Sequence, residues 1–248
     1  MKKIVLLLAF LLIFTSCEVT EKVYINPDNS AKYSFALNVS QIRMMALNPN
    51  HMDENFPTDT IMTIQEFAET DILGLENHQA NSEEDKILEE VFDDFKVHVK
   101  ITEKEGLISF FTEKKNISEL NNTMSLFQQK LSASRKKKEQ EESKDEELLF
   151  SELMGNLELN FDGKNFSRKG KMNFNSVRKE GGFNEGDFRD LASIMSYTLE
   201  YHFPRPVKTI SDTSVLMSWD RKTIYLRKPF LELISNPKAY DFTLELED

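Results

Sequence analysis

The sequence predicts an α+β fold: a mostly antiparallel sheet built from hairpins and a C-terminal meander, covered by several helices. Three observations carry that expectation. Runs with a two-residue apolar period, such as Tyr33, Phe35, Leu37 and Val39, recur in pairs separated by turn formers. Runs with three- and four-residue apolar spacing lie between those pairs. The two kinds do not alternate as regular β-α-β units, which argues against a parallel sheet.

Near the N-terminus, "VTEKVYI" and "AKYSFALNV" flank "NPDNS", whose Asn, Pro and Asp form turns, so a hairpin is expected with only a few residues of linker from Cys17. Residues 40 to 60 read as irregular, with Pro49 and Pro57 breaking any long element. Thr63 and Glu66 make a T-x-x-E capping box ahead of a helical stripe of Ile64, Phe67, Ala68 and Ile72 that stops at Gly74. Ser82 opens a second expected helix carrying Ile87, Leu88, Val91, Phe92 and Phe95. In "FKVHVKITEKEGLISFF" the residues Phe95, Val97, Val99 and Ile101 alternate with Lys96, His98, Lys100 and Thr102, and "EKEG" turns the chain into a second strand.

The segment at about 117 to 154 is the most strongly helical. Ile117, Leu120, Met124, Phe127 and Leu131 form a narrow apolar seam. Bases then precede acids in "SRKKKEQEESKDEE". In one helix that order is unfavourable for Arg135 with Glu139 and Lys137 with Glu141. In two helices the same charges suit both dipoles, and Ser143 with Glu146 forms a second capping box. A break near Gln140 to Ser143 is preferred, with one long helix as the other possibility.

Further on, Asp162-Gly163 separates "LELNF" from "KNFSRKGKMNF" and is the sharpest hairpin signal in the chain. "EGGFNEG" reads as a loop, and Phe188, Leu191, Ala192 and Met195 as a short helix. Tyr197, Leu199, Tyr201 and Phe203 share one face of a strand that Pro204 and Pro206 end. "SVLMSW", a "DRK" turn, "TIYLR", a short helix at 230 to 235 and the strand "YDFTLELE" complete the meander.

The leader has its own logic. Lys2 and Lys3 precede an unbroken apolar run from Ile4 to Phe14, and the small polar Thr15 and Ser16 lead into Cys17, the single cysteine of the 248 residues. Charged, apolar and small-residue regions in that order are the layout of a signal peptide, expected over residues 1 to 16. At about 1.5 Å per residue the run reaches roughly half of a bilayer's ~30 Å hydrocarbon core. Phe14-Thr15-Ser16-Cys17 resembles the lipobox of bacterial lipoproteins, with Phe14 where leucine is most usual. The resemblance covers residues 1 to 17. It implies cleavage before Cys17, a diacylglycerol on its sulfur and an acyl chain on its nitrogen, with residues 17 to 248 as a single lipoprotein domain.

Composition narrows the function. Removal of Lys2 and Lys3 takes the 31 basic residues to 29 against 42 acidic ones, so the net charge moves from −11 to −13. That balance repels phosphate backbones, so no nucleic-acid partner is expected. One cysteine cannot form an intrachain disulfide, so an exported domain must rest on its core. The Asn-x-Ser/Thr triplets at Asn38 and Asn116 are chance under a bacterial reading.

No catalytic residue, cofactor or metal ligand is assigned. The chain lacks G-x-S-x-G, H-E-x-x-H and G-x-x-x-x-G-K-[ST]. His98 and His202 stand at outward strand positions, and His78 in a polar loop. His51, Asp53 and Glu54 in "HMDE" are adjacent in sequence, and neighbours rarely converge on one ion. Trp219 is expected at a strand end, in the core or at its rim. The basic run at 135 to 138 reads as a solvated helix end. The function expected is therefore a non-enzymatic binding or interaction module. It would be anchored through Cys17 in the cell envelope, the outer membrane before the inner, with an envelope protein as partner. Two alternatives stay open: a protein binding lipid or another apolar ligand in a cavity, and a hydrolase using two carboxylates with raised pKa values.

Overall fold

The computed structural model describes residues 17–38, 40, 59–68, 93–102, 105–137, 157–170 and 192–248. The strands are β1 (Cys17–Ile25), β2 (Ala31–Asn38), β3 (Asp59–Thr63), β4 (Lys96–Ile101), β5 (Gly106–Lys114), β6 (Leu157–Phe161), β7 (Asn165–Gly170), β8 (Met195–His202), β9 (Val207–Ile210), β10 (Leu216–Met217), β11 (Thr223–Pro229) and β12 (Phe242–Leu246). The helices are α1 (Ile64–Ala68), α2 (Ile117–Lys137) and α3 (Phe230–Ser235), followed by a 3-10 turn at Pro237–Tyr240.

These strands form two sheets, and the expected α+β class is corrected to a mostly β fold. The larger sheet runs β10-β11-β8-β1-β2-β5-β4-β3 and the smaller β6-β7-β12-β9. Their inner faces meet, with Phe166 of β7 in edge contact with Tyr201 of β8 at 5.6 Å between centroids and with Phe203 at 5.1 Å. The main cover of the larger sheet at β1 and β8 is thus a second sheet, where helices were expected. Nor is the C-terminal part a meander: β8, β10 and β11 belong to the larger sheet and β9 and β12 to the smaller. Period-two alternation identifies which side of a strand is buried, and is silent on which sheet the strand joins.

Individual elements follow the expected chemistry. β1 and β2 pair antiparallel across "NPDNS", where Asn29 takes a positive φ of 68° and Asp28 accepts bonds from the amide and hydroxyl of Ser30. Tyr33 and Phe35 are buried. The capping box forms at α1: the Thr63 amide donates to Glu66 Oε2 at 2.7 Å, and the Glu66 amide donates to Thr63 Oγ1 at 3.1 Å. Asn116 caps α2, its Oδ1 accepting the Glu119 amide at 2.9 Å. Ile117, Leu120, Met124 and Phe127 of α2 are buried as the seam predicts. Phe127 meets Phe95 at 4.9 Å, and Phe67 of α1 meets Phe110 of β5 at 5.6 Å, so helices cover the β2, β5 and β4 part of the inner face. Each such ring, fully buried, adds about 1.5–3 kcal/mol.

The Asp162-Gly163 hairpin joins β6 to β7. Asp162 Oδ1 accepts the Lys164 and Asn165 amides at 2.9 and 2.6 Å, and with the Asn165 side-chain amide these bonds hold its carboxyl down at about 2. Gly163 has φ +95°, a conformation that costs a side chain dearly. Gly163→Ala is therefore expected to destabilise the fold by at least about 1 kcal/mol, measured by urea unfolding, even though no atom lies within 4 Å of the added methyl group.

Three further differences matter. β3 lies where irregular chain was expected, pairing antiparallel with β4 at the end of the sheet. Met195, read as helical, opens β8 and pairs parallel with Cys17. Trp219 sits in the turn between β10 and β11 and is 102% exposed, not core or rim. Residues 82–92 of the helix expected at 82 to 95, the break near 140 to 143, the 180s loop and most of the short helix at 188 to 195 fall outside the described residues, and Asp93, Asp94 and Phe95 are not helical.

Candidate functional site

β1 begins at Cys17 itself. Cys17 pairs with Met195 of β8, and Glu18 pairs with Ser196 on one side and with Asn38 of β2 on the other. The strand is central in its sheet, so the proposed lipidation point stands mid-edge with no intervening linker. Glu18 is held in place: its Oε1 accepts the Thr198 hydroxyl at 2.6 Å and lies 3.8 Å from Arg227 Nε. Along the same edge the Gly106 amide donates to Ser40 Oγ at 2.9 Å, and Lys100 pairs with Glu105 at 2.8 Å. Ile194, just before β8, is 42% exposed.

A second constellation lies between the sheets. Glu21 points inward from β1 and Arg168 inward from β7, both fully buried. Arg168 Nη2 donates to Glu21 Oε2 at 2.8 Å and Nε to Oε1 at 3.1 Å. Tyr197 donates to Oε2 at 2.6 Å, and Tyr201 donates to Oε1. Arg168 Nη1 reaches the Tyr240 carbonyl at 3.1 Å, and the Tyr240 hydroxyl lies 3.0 Å from the carbonyls of Tyr197 and Lys228. Burial alone would raise the Glu21 carboxyl; the Arg168 charge and the donors from Arg168, Tyr197 and Tyr201 outweigh it and hold the group below its ordinary value. An ionised carboxylate sealed from water is not the raised-pKa acid that a carboxylate hydrolase needs. The cluster ties one sheet to the other.

Sequence reading missed this pair because a charged residue at an inward position looks like a break in the alternation. The usable signal is that Val19, Glu21, Val23 and Ile25 keep phase through Glu21, and Phe166 keeps phase with Arg168. Opposite charges at inward positions of two strands mark a buried ion pair.

The outward face of the smaller sheet carries an open concavity of about 700 Å³. Asn160, Ser167 and Thr243 stand in register across its strands, and the Ser211 hydroxyl accepts the Thr243 amide at 2.9 Å. Its lining mixes hydroxyls, amides and carboxylates with Phe161, Phe166, Ile210 and Leu244.

The remaining sequence candidates separate in space. His98 Nε2 lies 2.8 Å from Asp59 Oδ1 of β3. His202 stacks on Tyr24 at 4.2 Å and bonds Thr223 at 2.9 Å, and burial lowers its pKa. Among the described residues no three His, Cys, Asp or Glu side chains gather as a metal site, and no helix is long and apolar enough to cross a membrane. His51, Asp53, Glu54 and His78 lie outside the described residues.

No known protein family matches the chain, and no curated protein matches it. Among solved structures, the NMR structure of the folded domain of the Mycobacterium tuberculosis LppM protein is similar at a TM-score of 0.41, with 9% identity, over 94% of this chain and 90% of that one. At that level the likeness does not extend to residues or to activity.

Proposed function

We propose that the chain is a lipid-anchored lipoprotein of the cell envelope, a non-enzymatic binding module held at the membrane, the outer before the inner, by lipids on Cys17. The observation that carries this reading is the sequence Ile4 to Phe14, Thr15, Ser16, Cys17, followed at once by a strand of a folded β domain. Cleavage before Cys17 would give a mature chain whose first residue is already part of the sheet. Each acyl methylene buried adds about 0.8 kcal/mol, and a single chain holds only marginally, so a three-chain anchor suits a resident membrane protein.

The module reading draws on the surface. Leu216 and Tyr225 are cross-strand partners and are exposed with the neighbouring Trp219, and Trp and Tyr are the residue types that dominate protein interfaces. Growth with an alkyne fatty acid tests the anchor: wild type is expected to take up label and Cys17→Ser none. Equal labelling of both would remove the basis of the proposal.

A further inference from the structure

We propose that the Cys17 edge of the larger sheet seats directly on the lipid surface, so that the domain stands on its strand ends with the Trp219 turn pointing away from the membrane. The inference rests on lipidation of Cys17 and adds the contact surface and the orientation.

Reach is the first argument. One residue spans at most about 3.6 Å, and no residue intervenes between Cys17 and the paired Glu18. A lipid on Cys17 therefore brings the strand end to the headgroup layer.

Direction is the second. Cys17 is in register with Met195 at the end of β1, so an acyl chain on its nitrogen is attached at the strand end. Laying the domain on its outward face would need a turn after the lipid, and there is no residue to make it. That outward face also carries Lys22 and Glu200, paired at 2.7 Å, which would have to enter the interface.

The edge itself suits the contact. Ile194 is exposed beside the Cys17 pairing, and Leu107, half-buried, is the second residue of β5 two strands away. Two carboxylates among the described residues of this edge face cations: Glu18 lies near Arg227 and Glu105 pairs with Lys100. A chain of strongly negative net charge thus carries matched charges among the described residues of this edge.

Trp219 is the single tryptophan and a built-in reporter. Seven residue steps along β1 separate Cys17 from Tyr24, which pairs with His202, the partner of Thr223 behind the Trp219 turn. At about 3.3 Å per residue that is on the order of 20 Å, beyond a headgroup layer of roughly 5–7 Å.

The experiment uses the purified, lipidated full chain in phosphatidylethanolamine and phosphatidylglycerol vesicles with brominated acyl chains. In the wild type, Trp219 is expected to keep its emission and its wavelength. In Trp219→Phe combined with Ile194→Trp, or with Leu107→Trp should the first fold poorly, the introduced indole is expected to lose most of its emission relative to unbrominated vesicles. Quenching of wild-type Trp219 shows a domain lying flat and overturns the proposal, as does a vesicle-bound chain whose introduced indoles are both unquenched. A chain that stays in the supernatant overturns the anchor reading and this orientation with it, an outcome distinct from the other two.

Discussion

Replacing Arg168 by methionine is expected to destabilise the fold by about 3–5 kcal/mol at neutral pH, because it leaves the Glu21 carboxylate buried without a counter-charge. The site is sealed, with both residues fully buried, so water does not replace the two lost bonds to the carboxylate. Tyr197 and Tyr201 still donate to it, but two neutral donors do not balance an ion in a dry interior. Adding Glu21→Gln to Arg168→Met is expected to recover part of the loss: the amide oxygen still accepts from one tyrosine, the amide nitrogen can donate to the hydroxyl oxygen of the other, and no ion remains buried. Urea midpoints of the wild type, the single variant and the double variant measure the difference.

The same pair sets a pH dependence whose sign differs between the proteins. In the wild type the folded Glu21 carboxyl is held below its ordinary 4.5, so its stabilisation is present above that pH and is lost as pH falls through the folded value. Without Arg168 burial dominates and raises the carboxyl, so the variant gains stability as pH falls from that raised value toward 4.5. The stability gap between Arg168→Met and the wild type is therefore expected to narrow on acidification. A gap that stays constant from neutral pH to pH 4 would show that Glu21 is not the group left unpaired.

The second large effect is on location. Cys17→Ser is expected to move the chain from the membrane pellet to the soluble fraction, or to leave it as an unprocessed precursor. Serine offers no thiol for the diacylglycerol. The folded domain should be indifferent to the change, because Cys17 occupies only the first pair of β1. Purified mature domains with Cys or Ser at position 17 are expected to unfold within about 0.5 kcal/mol of each other, as substitutions away from core and caps do.

Much of the fold was legible locally and little of it globally. The Thr63–Glu66 box, the "NPDNS" and Asp162-Gly163 turns and the α2 seam depend on residues within a few positions of one another, and each forms as its chemistry dictates. The parallel pairing of β1 with β8 joins residues about as far apart as Glu21 and Tyr201, whose side chains meet across 180 positions. No local pattern encodes that. β3 escaped notice because "DTIMT" is short and lies at the sheet's end, where its alternation is nearly all exposed. Trp219 was misplaced because burial was inferred from residue type, while the "SWDRK" turn is set by Asp220, which accepts the Ser218 hydroxyl at 2.6 Å and the Lys222 amide at 3.1 Å.

Cys17 is the proposed processing point, and the described part of β1 runs from that residue, so the proposed anchor adjoins the sheet. The most direct test of the account is the mass of the N-terminal tryptic peptide, Cys17 to Lys22, from protein purified out of membranes. A peptide that begins at Cys17 and carries a diacylglycerol and an acyl chain is expected. An unmodified Cys17, or a peptide that still includes Ser16 and the apolar run, would contradict it.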